Sequence, residues 1–203
     1  MSFPDFFDAV PRIAVRDRLA QFLGACDDGV LEYRYVDAVR LAGHSCPTVA
    51  AAYLMTRAAL RALHPDAMPE RGGVRVEVAG LQADGVAGVI ASVACLVTGA
   101  AGDGGFKGIG GQFDRRGLLA FGAAIDGQMR FTRTDTGAAA SVSARLDRVP
   151  PDARIALLIP RCLAGIAQAD EVALFRSLWQ SRVRALLLEH ADDPDTIVVS
   201  MSR

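Results

Sequence analysis

The sequence predicts an α+β fold: a mixed or antiparallel sheet packed against Ala-rich helices, with a helical C-terminal part. Three observations predict it. Three strand-like runs follow one another between residues 118 and 146, separated by short turns. Ala-rich segments with a helical apolar stripe lie before them and charged amphipathic ones after. No regular strand-helix alternation runs through the chain, as a doubly wound parallel fold would need.

In chain order, Val15 to Ala25 reads as a short helix carrying Leu19, Phe22 and Leu23 on one side. Asp27-Asp28-Gly29 is a turn. Leu31, Tyr33 and Tyr35 alternate with Glu32 and Arg34 as in a strand, and Val36 to Leu41 is a short helix. Pro47 suits the first position of the next helix, which makes Cys46 its N-cap. That helix runs to Leu63, with Val49, Tyr53, Leu60 and Leu63 on one face, and Pro65 stops it. Gly73 to Ala79 alternates cleanly and is the surest strand.

Asp84 to Val97 reads as a buried helix. Leu118 to Ile125, Met129 to Thr134 and Ala140 to Leu146 are the three successive strands. Asp126-Gly127 signals a hairpin between the first two. Asp152 to Leu163 and Glu171 to His190 are helices, the second striped by Val172, Phe175, Trp179, Val183, Leu186 and His190. Thr196 to Met201 is a last β-rich run. Residues 1–150 are read as an α+β domain, and 151–203 as a helical extension on the same core.

The chain has 203 residues and a formal net charge of -1, which gives no support to nucleic-acid binding through a basic surface. The most apolar stretch, Val86 to Ala101, is too short for a membrane span. The opening residues place Asp5 and Asp8 where a signal peptide needs a basic region and an apolar run. Cys26, Cys46, Cys95 and Cys162 form no CxxC pair. A cytoplasmic, thiol-reduced setting is the expectation, with Cys95 and Cys162 as buried core thiols.

Gly43-His44-Ser45-Cys46-Pro47 carries the most chemistry. An imidazole and a thiol two residues apart in a turn can share a centre, and zinc takes both at about 2.0–2.3 Å. Cys46 at a helix N-terminus is also placed where the dipole favours thiolate. The motif therefore supports a metal held by His44 and Cys46, or a metal-free enzyme with Cys46 as nucleophile. A plain loop, with Cys46 packed inward and His44 solvated, is the third reading.

Seven of the thirteen residues from Gly99 to Gly111 are glycine. This segment follows a helix, whereas a phosphate-cradling loop precedes one, and Lys107 is followed by Gly108. The P-loop and dinucleotide fingerprints are therefore excluded. Lys107 is the one lysine among 22 basic residues. A compact ammonium suits a narrow anion pocket better than a guanidinium does. Lys107 is expected to neutralise an anionic ligand in the cavity of Cys46.

The run Arg40 to Tyr53, with its Gly43-His44-Ser45-Cys46-Pro47 core, resembles the opening motif of the FmdE-like family, named for a component of formylmethanofuran dehydrogenase. Thr98-Gly99 and Lys107 resemble that family's later glycine-plus-lysine loop, and the likeness spans residues 31 to 146. It departs at Ala100, where members carry a further cysteine, and in lacking a C-terminal CxxC zinc ribbon. The resemblance implies an α+β homodimer with zinc near His44 and Cys46.

The function expected is a metal-binding protein that binds or transforms a small anionic molecule, with His44, Cys46 and Lys107 as its working side chains. The alternatives are a non-catalytic binding module for a metal-containing cofactor or a second protein, and the thiol enzyme. Part of the glycine-rich segment is expected at the homodimer interface.

Overall fold

The structure is a computed structural model, and it describes residues 3–202. After a 3-10 turn at Asp5–Ala9, the chain forms β1 (Ile13–Arg16), α1 (Arg18–Phe22), β2 (Val30–Tyr33), α2 (Tyr35–Ala42) and α3 (Pro47–Leu63). Then come β3 (Val74–Val78), α4 (Ala87–Thr98), β4 (Leu119–Phe121), β5 (Met129–Arg133) and β6 (Ala139–Ala144). The chain ends with α5 (Arg154–Leu163), α6 (Ala169–Arg184), a π-helical turn and β7 (Ile197–Ser202).

The main sheet has the order β4-β3-β5-β6-β7. β3 and β4 are parallel, and every other pair is antiparallel. β1 and β2 form a separate antiparallel ribbon. The expected α+β fold with a mixed sheet is therefore present. Among the described residues, no helix is long and apolar enough to cross a membrane.

Side-chain alternation makes the sheet one-sided. Val74, Val76, Val78, Met129, Phe131 and Val142 point inward and are at most 2% exposed. Glu77 and Arg130, directly opposite in register, point outward and pair at 2.8 Å. Such alternation marks an antiparallel sheet covered on one face.

The cover is α3, packed against β6 and β7 on one side and α4 on the other. Ala50, Ala51, Ala52 and Ala59 are all buried and let these layers approach closely. A helix apolar on nearly every side belongs in a core. Its buried Thr56 donates its hydroxyl to the Ala52 carbonyl at 2.8 Å, so the polar atom is satisfied.

Three sequence expectations need correction. Val15 belongs to β1 and not to a helix: the helix starts later because Asp17 caps it, accepting the N–H groups of Leu19 and Ala20 at 2.9 and 3.1 Å. The expected β4–β5 hairpin does not form, because β3 lies between those strands. Inserting β3 puts Val74, Val76 and Val78 at the centre of the inward face. The turn at Asp135-Thr136-Gly137 does join two paired strands, β5 and β6. Cys95 and Cys162 are half-buried rather than fully buried. Burial pushes the Cys95 thiol up to about 11.

Candidate functional site

The motif loop is built from its backbone outward. α2 ends at Gly43, whose φ of 75° reverses the chain while its N–H bonds the Val39 carbonyl. Glycine enters this left-handed conformation at little steric cost. Cys46 then caps α3 as the sequence predicts. Its sulfur accepts the Val49 N–H at 3.5 Å, and Pro47 follows at the first helical position. The cysteine is buried, whereas His44 is exposed.

The imidazole of His44 is oriented by a neighbour. Nδ1 lies 2.9 Å from the Ala42 carbonyl, which can only accept, so Nδ1 carries the proton. Nε2 is left to face outward, as an acceptor in the neutral ring and a donor in the protonated one. His44 stands on a ridge between two clefts. One, of about 390 Å³, lies toward the N-terminal half of α4 and includes Gln82, Gly88 and Ser92. The other, of about 520 Å³, lies under α6 and is walled by Phe3, Phe7, Val39, Phe175 and Trp179.

The α6 cleft is apolar with a charged edge. Arg176 lines it. The positions three and four residues away on the same helix hold Val172, Ala173, Trp179 and Gln180, so α6 offers that guanidinium no acid. Arg40 stacks its guanidinium over the Phe3 ring at 5.6 Å. An apolar wall with a cationic group at its edge can hold a planar or chain-like body and orient one anionic head.

Ser45 ties the loop to the rest of the molecule. Trp179 donates its indole N–H to the Ser45 carbonyl at 3.0 Å, and Gln180 donates to the same oxygen at 3.3 Å. The Ser45 hydroxyl donates to Gln180 at 3.1 Å and lies 3.0 Å from the Tyr35 hydroxyl. Tyr35 is fully buried and joins an edge-to-face aromatic chain between Phe7 and Tyr53. Burial pushes its phenol above the ordinary range. Sequence reasoning reads Trp179 as packing and gives Ser45, Tyr35 and Gln180 no role. No local signal links residues 45 and 180.

His44 and Cys46 are adjacent in the loop, but Cys46 is not among the residues lining either cleft. Lys107 is elsewhere. The glycine-rich segment leaves the C-terminal end of α4, about 18 Å along that helix from the end beside His44. The Arg115 N–H bonds the carbonyl of Phe106, next to Lys107, which anchors the segment at that far end. Within one chain it does not roof the His44 clefts.

A zinc site takes four protein ligands, or three with an open position. Among the described residues, no three His, Cys, Asp or Glu side chains come together. The Cys46 sulfur already serves the first turn of α3. The donor set of a single chain therefore does not fit a resident zinc: the one expected at His44 and Cys46 lacks a third protein ligand. No protein-family model matches the chain, and no curated protein is significantly similar to it.

Proposed function

We propose that this chain binds a small molecule with an apolar body and one anionic group in the cleft under α6. Arg176 and the protonated form of His44, whose Nε2 then donates, read the anionic group, and Phe3, Phe175 and Trp179 cover the apolar body. One observation carries the reading: His44, its Nδ1 held by the Ala42 carbonyl, lines the same apolar cleft as Arg176. The thiol-enzyme alternative has less support, because Cys46 is buried and lines neither cleft. The metal implied by the family resemblance would need a donor from outside the chain.

Trp179 is the chain's one tryptophan, so its fluorescence reports directly on the cleft. Titration with 2-naphthoate, a planar ring with one carboxylate, should quench it to saturation. His44→Ala should weaken that binding about ten-fold or more, the worth of a hydrogen bond to a charged group. Equal affinity for 2-naphthalenemethanol, which has the ring without the charge, would contradict the reading.

We also propose the homodimer. Phe106 and Ile109 on the glycine-rich segment are each 43% exposed, which supports burial of that segment against a second copy. Light scattering at micromolar concentration should give twice the 21.4 kDa of one chain. A single-chain mass would contradict it.

A further inference from the structure

A second polar site lies at the opposite end of α4. Asp17 is 3% exposed and is surrounded by donors. Besides two backbone N–H groups, its carboxylate accepts Arg71 Nη1 at 3.0 Å and Arg115 Nη2 at 2.9 Å. One carboxylate thus faces two guanidiniums, one of them on Arg115, which is itself 6% exposed. The nearby acids are committed: Glu70 pairs with Arg18, and Asp114 with Arg116. The cluster is left with one unmatched positive charge in a desolvated setting, which is costly.

Two donors in this cluster are also unused. Arg115 Nη1 and Arg71 Nε are buried and have no hydrogen-bond partner. Arg115 Nη1 lies against Gly72, so closely that a Cβ there would sit 1.8 Å from it. Gly72 and Arg115 together wall a cavity of about 210 Å³, with Arg18, Arg71 and the two paired acids Glu70 and Asp114. A donor-rich cavity with an excess positive charge suits a compact acceptor with several lone pairs. A planar guanidinium pair suits an oxyanion in particular.

We propose that this cavity binds a free tetrahedral oxyanion of phosphate size against Arg71 and Arg115, with Arg18 at its mouth. The anion supplies the missing charge. The site is independent of the α6 cleft and of the ligand proposed there.

The test is calorimetric titration of the whole chain with inorganic phosphate, matched in ionic strength with chloride. The expected result is saturable binding at one site per chain. Arg18→Gln, at an exposed position, should weaken it about two- to five-fold. Arg115→Met, where circular dichroism shows a folded chain, should abolish it. No saturation at millimolar phosphate would overturn the proposal. Binding unchanged in Arg18→Gln, or retained in a folded Arg115→Met, would overturn it equally.

Discussion

Replacing Asp17 with alanine is expected to cost about 3–5 kcal/mol of folding stability, the usual loss when one partner of a buried ion pair is removed. The substitution leaves Arg71 and Arg115 facing each other with no carboxylate between them. It also removes the cap from α1. Three distant segments come apart together: the end of β1, the loop before β3 and the stretch before β4. Urea unfolding of the two chains measures the difference, and a loss under about 1 kcal/mol would place Asp17 with ordinary surface pairs.

The same carboxylate sets an acid limit. Burial alone would raise the pKa of Asp17, but the Arg71 hydrogen bond, the Ala20 N–H and the charges of Arg115 and Arg71 together hold it below 3.8. A depressed folded value means that the ionised group stabilises the fold at neutral pH. That contribution is complete above 3.8 and is lost as pH falls below it, through the folded value. The Asp17→Ala chain should therefore show a shallower loss of stability in that range.

Replacing Tyr35 with alanine is expected to cost about 3–5 kcal/mol, as for other large buried aromatics. Tyr35 has no exposure and holds the middle of the Phe7–Tyr35–Tyr53 chain. Its hydroxyl also meets Ser45, the residue gripped by Trp179 and Gln180. Tyr35→Phe keeps the ring and removes only that contact, for a cost of about 1 kcal/mol. In the alanine variant the emission of Trp179 should shift to the red as the loop loosens. Unchanged emission would show that the grip of α6 on Ser45 does not depend on the core beneath it.

Elements written in contiguous residues were legible in the sequence. Cys46-Pro47 marks the start of α3, and Val49, Tyr53, Leu60 and Leu63 form its buried stripe as the period predicts. β3 and β5 follow from alternation, and β6 from the turn residues before it. The β4–β5 hairpin failed because Asp126-Gly127 reports a turn and not a partner. Pairing was decided by Val74, Val76 and Val78, about fifty residues upstream, meeting Met129 and Phe131. Ile13 to Arg16 was hidden because four alternating residues fit the start of a helix as easily as a strand.

The site divides in the same way. His44 and Cys46 announce themselves by type and spacing, and the loop geometry around them is local. Trp179 and Gln180 reach Ser45 across about 135 residues, and no periodicity encodes that. The Asp17–Arg71–Arg115 cluster draws on three segments. Its one sequence trace is glycine at 72 and 99, where the backbone turns to positive φ and a Cβ would strike the Arg115 guanidinium.

The most direct test of ligand binding under α6 is a crystal structure of the chain with 2-naphthoate. The expected result is the ring between Trp179 and Phe3, with its carboxylate on His44 Nε2 and Arg176. A ring bound away from α6, or a metal ion joining His44 to Cys46 with a ligand from a second copy, would contradict it.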